Sequence, residues 1–342
     1  MTEVSALGEF GLIQRLTQRF STPSESTIKG VGDDAAVLDA GEQKVVVSTD
    51  LLVEGIHFDM MYTPLKHLGY KAVVVNLSDI YAMNARPKHI TVSLAISSRF
   101  TVEALEEIYE GVLHACKVYN VDLVGGDTTS SLKGLIISVT AVGYANEEKI
   151  VYRNGAKVGD LIAVTGDLGA AYLGLQLLER EKRIFLEDQN ITPDLESEKY
   201  LVGRQLKPEA RKDIIDFFED INLQPTSMID VSDGISSDIL HICSQSKVGC
   251  EIFEDELPIV DETAERALTF NLDPTTCAMN GGEDYELLFT IDEADETKLA
   301  DVPGISIIGK IVEKEDGCLL VTKGGNRVAI TAQGWNHFSS SF

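Results

Sequence analysis

Apolar positions along the chain recur with two periods, one typical of strands and one typical of helices. The segment Lys44–Asp50 is rich in β-branched residues, and Ile90–Ile96 alternates apolar and polar positions, so both predict strands. In Thr101–Tyr119 the apolar side chains recur every three to four residues, which predicts an amphipathic helix. The segment Leu68–Asn84 has the composition of a further helix. Because strands and helices alternate along the chain, we expect a mixed α/β fold.

The same pattern extends towards both ends of the chain. An opening amphipathic helix is predicted over residues 9–20. The polar stretch Ala145–Asp160, which contains two glycines, predicts the boundary between two domains, 1–145 and 146–342. The charged segment Glu181–Glu198 predicts a surface insertion. The other predicted elements are an extended segment at Leu51–Phe58, strands at Asp122–Val124, Leu135–Tyr144, Leu161–Thr165, Met228–Val231, Tyr285–Ile291, Ile305–Val312 and Cys318–Thr322, and helices at Gly169–Glu179 and Ile235–Ser246.

The composition narrows the class of protein. A length of 342 residues suggests two domains, and 44% hydrophobic with 25% charged residues is typical of a globular protein. No apolar run is long enough to span a bilayer, and residues 1–11 lack the pattern of a secretory signal, so we expect a cytoplasmic protein. The 55 acidic and 29 basic residues give a net charge of −26, which disfavours nucleic-acid binding. The five cysteines show no regular spacing and predict reduced thiols rather than disulfides.

Five segments that contain aspartate interrupt the apolar framework. Four of them adjoin a predicted strand, and the fifth places Asp79 inside the apolar helix Leu68–Asn84. A single Asp–Gly turn is a common structural feature, but Asp within a helix is disfavoured and is costly when it is buried without a partner. The recurrence therefore favours one shared site. The segments are Gly32–Ala35, Val47–Asp50, Asn76–Asp79, Gly125–Thr128 and Ile229–Gly234.

Carboxylates and hydroxyls are the ligands that Mg²⁺ prefers, and Mg²⁺ usually reaches substrate phosphates through a few protein groups. The sequence lacks the DxDxDG loop of a calcium site, the GxxxxGK[ST] loop of P-loop enzymes and the HRD and DFG motifs of protein kinases. The GxGxxG loop of dinucleotide-binding folds is absent as well. These observations predict a magnesium site that contacts substrate phosphates, in a protein outside the P-loop, protein-kinase and dinucleotide-binding classes.

Nine segments together resemble the thiamine-monophosphate kinases, a family within the aminoimidazole ribonucleotide synthetase superfamily. The resemblance covers nearly the whole chain, and its two last segments are more specific to the kinase family than to the superfamily. Two positions differ slightly from the residues usual in the family: Asn84 stands where glycine is usual, and Trp335 stands where tyrosine also occurs. The segments are Gly8–Phe10, Val31–Val37, Ser48–Phe58, Asn76–Ala85, Leu123–Thr129, Arg153–Asp160, Asp230–Gly234, Gly281–Phe289 and Gly334–Phe338.

This resemblance implies a two-domain, aminoimidazole ribonucleotide synthetase-like α/β fold. The N-terminal sheet-and-helix domain is expected to bind ATP and metal and to pair in a homodimer, and the C-terminal α/β sandwich domain is expected to complete the active site. The implied reaction is ATP-dependent phosphorylation of thiamine monophosphate to thiamine diphosphate by direct in-line transfer, assisted by several Mg²⁺ ions.

The resemblance also implies roles for individual residues. The implied Mg²⁺ ligands are Asp34, Ser48, Thr49, Asp50, Asp79, Asp127, Asp230 and Asp233. The implied ATP contacts are Gly126, Asp127, Arg153, Ser232 and Tyr109. The implied acceptor contacts are His57, Glu283 and Trp335. Catalysis is expected to depend on Asp50, Asp127 and Asp233.

The sequence is also compatible with two functions other than that of a thiamine-monophosphate kinase. The chain is also compatible with another ATP-dependent enzyme of the same superfamily, such as an aminoimidazole ribonucleotide synthetase-like enzyme. A non-catalytic, acidic protein that binds divalent ions would make the positions of Arg153, His57 and Trp335 coincidental. Release of ADP that depends on the acceptor separates the kinase from these alternatives.

Overall fold

The computed structural model describes residues 26–29, 32–191, 195–300 and 302–332. The predicted opening helix over residues 9–20 and Trp335 lie outside these residues. The described strands are β1 (Thr27–Lys29), β2 (Ala36–Asp39), β3 (Lys44–Val53), β4 (Arg86–Ile96), β5 (Asp122–Ser130), β6 (Ile136–Ala145), β7 (Leu161–Thr165), β8 (Ser227–Asp230), β9 (Gly249–Phe253), β10 (Leu287–Ile291), β11 (Ile305–Val312), β12 (Cys318–Val321) and β13 (Arg327–Ala329). The described α-helices are α1 (Leu65–Ala82), α2 (Val102–Tyr119), α3 (Ala170–Glu187), α4 (Lys199–Leu206), α5 (Lys212–Asp220), α6 (Ile235–Ser246), α7 (Asp261–Thr269), α8 (Pro274–Asn280) and α9 (Glu296–Leu299).

Two sheets organise the described chain, and the predicted mixed α/β class is confirmed. The first sheet has the strand order β1-β2-β3-β6-β4-β5, with all neighbours antiparallel except the parallel pair β4–β5. The second has the order β13-β12-β9-β11-β7-β10-β8, and β12–β9 is its parallel pair. No helix of the described residues has the length and apolar character needed to cross a membrane.

Helix α1 lies on one face of the first sheet, and α2 packs closely against α1. The contact is tight because glycines face the partner backbone on both helices. A Cβ at Gly69 would lie 1.9 Å from the Ile108 carbonyl oxygen, and one at Gly111 would lie 1.9 Å from that of Lys66. Helix α1 is buried along most of its length, since it also lies against β8 of the second sheet. Ser78 of α1 accordingly donates a hydrogen bond to Asp230 at the end of β8, at the junction between the sheets.

A single hydrophobic core connects the two sheets. It includes Leu77 of α1 and Val92 of β4 from the first half, and Phe218 of α5 and Phe289 of β10 from the second. The rings of Phe218 and Phe289 meet edge to face with their centroids 5.0 Å apart. A second core covers the other face of the second sheet beneath α6. The division into domains at residues 145 and 146 stays a prediction.

Several predicted boundaries were wrong. The chain stays extended past Asp50, but only to Val53 at the end of β3, and it turns there rather than remaining extended to Phe58. The strand predicted over Asp122–Val124 was too short, because β5 continues through the glycines to Ser130 in its pairing with β4. Helix α3 runs to Glu187, so the predicted insertion Glu181–Glu198 begins within a helix, and the Glu181 side chain is buried rather than on the surface.

Candidate active site

Three carboxylates from distant parts of the chain meet at the junction of the two sheets. Asp34 precedes β2, Asp79 lies in α1, and Asp230 ends β8. One oxygen of each carboxylate lies within 4.8 Å of the others, an arrangement that could hold a metal ion. The structure therefore brings together three of the predicted Mg²⁺ ligands, which we call the aspartate cluster.

Neighbouring hydroxyls orient two members of the cluster. The Ser48 hydroxyl donates a hydrogen bond to Asp79 Oδ2. The Ser78 hydroxyl donates to Asp230 Oδ2 at 2.7 Å. A hydroxyl bond is too weak to neutralise a carboxylate, and neither Asp79 nor Asp230 forms an ion pair with Lys or Arg among the described residues. The two carboxylates are therefore available as ligands for a cation.

The electrostatics of the cluster also favour a cation. Burial is the largest cause that raises the pKa of Asp79, and the charges of Asp50, Asp230 and Asp34 raise it further. Burial and the charge of Asp34 raise the pKa of Asp230 to about 8. Carboxylates that repel one another in a buried site are stabilised when a divalent ion binds between them. The donor set of carboxylate and hydroxyl oxygens suits Mg²⁺.

Arg153, a predicted ATP contact, pairs with the cluster itself. Its Nε donates to Asp34 Oδ2 at 2.7 Å, and a terminal nitrogen donates to Asp34 Oδ1 at 2.9 Å. Burial lowers the pKa of Arg153, but the nearby carboxylates outweigh this effect and raise it above its ordinary value. In this structure the guanidinium therefore forms its ion pair with Asp34, and its positive charge also favours the ionised form of Asp230.

The pleat of β3 separates the predicted ligands Ser48, Thr49 and Asp50. Ser48 lies on the face of the sheet that α1 covers, and the Asp50 amide donates to Asn76 Oδ1 of α1 at 2.8 Å. The Thr49 hydroxyl lies on the opposite face, where it donates to the Val139 carbonyl at 3.0 Å. Alternate side chains of a strand point to opposite faces, so the structure does not bring the Thr49 side chain into the cluster.

The segments Asp230–Gly234 and Gly281–Glu286 lie side by side next to the cluster. The Glu283 amide donates to the Ser232 carbonyl at 2.8 Å, and the Tyr285 amide donates to the Val231 carbonyl at 2.9 Å. The backbone at Glu283 has φ +66°, a left-handed conformation that is uncommon outside glycine. These contacts place Ser232 and the predicted acceptor ligand Glu283 on adjacent loops.

The Glu283 carboxylate is held by two side chains from different helices. Lys71 Nζ of α1 lies 2.9 Å from Glu283 Oε2, and Gln205 Nε2 of α4 donates to the same oxygen at 2.6 Å. Lys71 and Gln205 are 4% and 5% exposed, so both contacts are shielded from water. A buried lysine commonly indicates a specific partner.

The remaining predicted ligands that the structure describes are not members of the aspartate cluster. Gly126 and Asp127 lie on the exposed edge strand β5, and Asp127 is not a member of the cluster. His57 lies in the turn after β3, where its Nδ1 accepts a hydrogen bond from the Val53 amide at 3.0 Å. Tyr109 is half-buried on α2 and packs against the first core.

Comparison with known proteins places these residues in a family. Residues 32–145 match the AIR synthase related protein, N-terminal domain, and residues 157–321 match the AIR synthase related protein, C-terminal domain. A thiamine-monophosphate kinase of Aquifex aeolicus (strain VF5) is 35% identical over 332 residues, which cover 97% of this chain and 98% of that protein. The chain belongs to the thiamine-monophosphate kinase family. A relative with this name from Bacillus subtilis (strain 168) is 34% identical and covers 97% of this chain and 100% of its own length.

Solved structures agree with this assignment. AaThiL complexed with AMPPCP and TMP is 33% identical, has a TM-score of 0.82, and covers 99% of both chains. Thiamine-monophosphate kinase from Stenotrophomonas maltophilia K279a is 31% identical with a TM-score of 0.71, covering 94% of this chain and 98% of that one. Hydrogenase maturation protein HypE in complex with ATP is 19% identical with a TM-score of 0.68, and this likeness shows the fold alone.

Sequence reasoning missed three residues in this member of the thiamine-monophosphate kinase family. Lys71 and Gln205 gave no signal, because only the tertiary fold brings them to Glu283. Asp238 lies in the first turn of α6, is 2% exposed, and has an Oδ2 atom that forms no hydrogen bond among the described residues. Burial and the charges of Asp233 and Asp230 raise the pKa of Asp238 well above its ordinary value. Asp238 follows Gly234 by only four residues, and this short spacing could have identified it from the sequence as a candidate site residue.

Proposed function

We propose that this chain transfers the γ-phosphoryl group of ATP directly to thiamine monophosphate, with ADP and thiamine diphosphate as products. The observation that carries this proposal is the aspartate cluster, in which Asp34, Asp79 and Asp230 meet at the junction of the sheets. It is supported by near full-length relatives named thiamine-monophosphate kinase and by the related AaThiL structure, which holds an ATP analogue and TMP together.

The aspartate cluster is proposed to hold several Mg²⁺ ions. Two phosphorylated substrates repel each other, since even two unit charges at ~4 Å repel by roughly 4 kcal/mol at an effective dielectric of ~20. Bound Mg²⁺ would neutralise phosphate charge on both substrates. The chain's part is to place its carboxylates beforehand, since the hydroxyls of Ser48 and Ser78 fix the Asp79 and Asp230 carboxylates. Asp50 and Asp233 are proposed to complete this arrangement, with Thr49 contributing at most through its backbone.

The residues proposed to bind ATP are Gly126, Asp127, Arg153, Ser232 and Tyr109. Asp34 occupies two of the five guanidinium N–H donors of Arg153, so a bidentate phosphate contact through the same edge requires that Arg153 leave Asp34. A guanidinium matches a phosphate as well as a carboxylate, so this exchange costs little once a metal ion neutralises Asp34. Arg153 would then change its partner when ATP and Mg²⁺ bind.

The residues proposed to bind the acceptor are His57, Glu283 and Trp335. The thiazolium ring of thiamine is cationic, and the Glu283 carboxylate supplies the opposite charge. A flat cationic ring also binds well to an aromatic face, which is the role proposed for Trp335. Replacement of Trp335 with alanine is therefore expected to raise the acceptor KM and leave the KM for ATP unchanged.

A homodimer is proposed through the first sheet. Strand β5 forms an open edge, and its side chains Leu123 and Val124 are 43% and 60% exposed. Such an edge is usually covered by another chain or element. Pairing here would enclose Gly126 and Asp127, which a single chain leaves exposed. Sedimentation of the wild type and of Val124→Lys tests this proposal, and a monomeric wild type would contradict it.

Release of ADP tests the proposed reaction. The purified chain is given ATP and Mg²⁺ with and without thiamine monophosphate, and thiamine diphosphate is measured in parallel. We expect ADP and thiamine diphosphate in equal amounts only when the acceptor is present. Absence of acceptor-dependent ADP would reject the kinase and favour the ion-binding alternative, whereas ADP formed with another superfamily acceptor would favour a different enzyme. The cytoplasmic location and the domain division at residues 145 and 146 stay predictions.

A further inference from the structure

Three of the five cysteines meet in the second half of the chain, away from the aspartate cluster. Cys243 lies in α6, Cys250 in β9 and Cys318 at the start of β12. Their Sγ atoms all lie within 4.8 Å of one another. The other two cysteines, Cys116 and Cys277, belong to different parts of the core. We call the first three residues the cysteine cluster.

The fold itself creates the cysteine cluster. Cys250 and Cys318 are direct partners in the parallel β9–β12 pair, so their side chains lie on the same face of the sheet. Helix α6 covers that face and supplies Cys243 to the same core. Six residues separate Cys243 from Cys250, and 67 separate Cys250 from Cys318, so no local sequence motif indicates the site.

We propose that the cysteine cluster binds one thiophilic d¹⁰ metal ion, such as Zn²⁺ or Cd²⁺, through three thiolates. Zinc–sulfur bonds of about 2.3 Å place tetrahedral ligands roughly 3.8 Å apart, so the sulfurs need to contract by at most about 1 Å. Binding converts three thiols and one M²⁺ ion into a tris-thiolate complex with a net charge of −1, and three protons are released. No oxidant or reductant takes part.

The burial of the three residues fits this use. Cys243 and Cys250 are 2% and 0% exposed, whereas Cys318 is only half-buried and leaves an approach from solvent. That open side provides a fourth coordination position for water, as in sites with three protein ligands. Soft thiolates select such ions against Mg²⁺, which the hard carboxylates of the aspartate cluster prefer. The two clusters therefore differ in the ions that they bind.

Cadmium binding in the presence of excess Mg²⁺ tests the proposal on the full chain. The protein is reduced with a phosphine that does not bind metal and is then titrated with Cd²⁺. We expect one tightly bound Cd²⁺ per chain, with an ultraviolet thiolate-to-cadmium charge-transfer band. Cys277→Ser, which changes a buried cysteine outside the cluster, is the matched control and should retain both. Cys318→Ser should lose the band and bind Cd²⁺ more weakly by at least roughly a hundredfold, since even outer-shell changes cost ten- to a hundredfold.

Two further measurements keep the test decisive if a variant fails to fold. The ¹¹³Cd resonance of the loaded wild type should fall in the range of sulfur-rich sites, and a resonance in the oxygen range would overturn the proposal. Asp79→Asn should leave the charge-transfer band unchanged, because the band arises from sulfur ligands alone. A wild type without the band, or a Cys318→Ser variant that keeps it, would mean that the cysteines only pack as small apolar side chains.

Discussion

The ammonium of Lys71 lies 2.9 Å from Glu283 Oε2 and joins α1 to the loop before β10. Lys71 is 4% exposed and also donates to the Gln205 carbonyl at 3.0 Å. A buried lysine with two partners has a fixed geometry, and it fixes the Glu283 carboxylate in turn. Lys71 is thus a positioning residue for the proposed acceptor site, although it touches neither substrate in our proposal.

Replacing Lys71 with methionine should weaken acceptor binding selectively. Methionine keeps the apolar stem but removes the charge that holds Glu283. We expect the KM for thiamine monophosphate to rise about tenfold, equivalent to about 1.4 kcal/mol, with the KM for ATP unchanged. Steady-state kinetics with each substrate varied in turn measure this difference.

Lys66 provides the matched control for this variant. It lies on the same helix but is exposed and pairs with Glu110 of α2, so Lys66→Met should leave both KM values unchanged. If Lys71→Met folds normally and keeps the wild-type acceptor KM, Lys71 has only a structural role.

Replacing Asp79 with asparagine should increase stability while removing activity. Burial and the charges of Asp50 and Asp230 oppose the ionised form of Asp79. Asparagine cannot ionise, so at a pH high enough to ionise Asp79 the free energy of unfolding of the Mg²⁺-free protein should rise by roughly 1–3 kcal/mol. The loss of a metal ligand should lower kcat by about a hundredfold or more. Urea unfolding and the ADP assay measure the two effects.

Asp39→Asn is the control for Asp79→Asn. Asp39 lies outside the cluster and pairs with Lys44 at 2.7 Å, so the variant should keep kcat and gain no stability. A loss of stability in Asp79→Asn would show that the wild-type carboxylate is already neutralised without metal.

The stability of the Mg²⁺-free protein should fall as pH rises from about 4 to about 8. The pKa of Asp230 is raised to about 8 in the folded protein, mainly by burial and then by the charge of Asp34. An unfolded Asp has a pKa of about 3.9, so between these values the folded state holds the proton more strongly. Raising the pH removes that proton and the stability linked to it.

Urea unfolding in a chelator at several pH values measures this dependence. The large net charge of −26 also lowers stability as pH rises, so the wild type is compared with Asp230→Asn. We expect a shallower pH dependence in the variant, and added Mg²⁺ should stabilise the wild type more at pH 8 than at pH 5. Equal slopes for the two proteins would contradict the assignment to Asp230.

The variant Thr49→Val should keep its activity, whereas Ser48→Ala should lose activity. The Thr49 hydroxyl bonds to Val139 and Thr140 on the face opposite the cluster, whereas the Ser48 hydroxyl donates to Asp79. We expect kcat/KM of Thr49→Val to stay within about twofold of the wild type. Ser48→Ala should lower kcat and raise the Mg²⁺ concentration needed for half-maximal rate. Loss of activity in Thr49→Val alone would restore Thr49 as a side-chain ligand.

The variant Asn84→Gly should be more stable than Asn84→Ala. Asn84 follows α1 with φ +53°, and its side chain donates to the Lys149 carbonyl at 2.8 Å. Both variants lose this hydrogen bond, but only alanine has a Cβ, which is sterically disfavoured in the left-handed conformation. We therefore expect Asn84→Ala to be less stable than Asn84→Gly by roughly 1–2 kcal/mol. Equal thermal midpoints would show that the backbone relaxes here.

The sequence by itself determined the fold class and indicated the three carboxylates of the aspartate cluster. The helix Ile235–Ser246 and the strands Leu161–Thr165 and Ile305–Val312 were predicted with their observed bounds, because periodicity and local turn residues decide such elements. The aspartates also stood out in the sequence, since acids within apolar segments conflict with their surroundings. Asp79 was the clearest example, and the structure places it in the cluster.

Only the tertiary structure decided which of these side chains meet. The side of β3 on which Thr49 lies depends on the pleat and on the helix that covers one face, and the partners of Glu283 come from two helices remote in sequence. The cysteines likewise showed no spacing, yet strand pairing brings Cys250 beside Cys318 and α6 adds Cys243. Periodicity acts over neighbouring residues, whereas a site is formed by long-range packing, which no local pattern specifies.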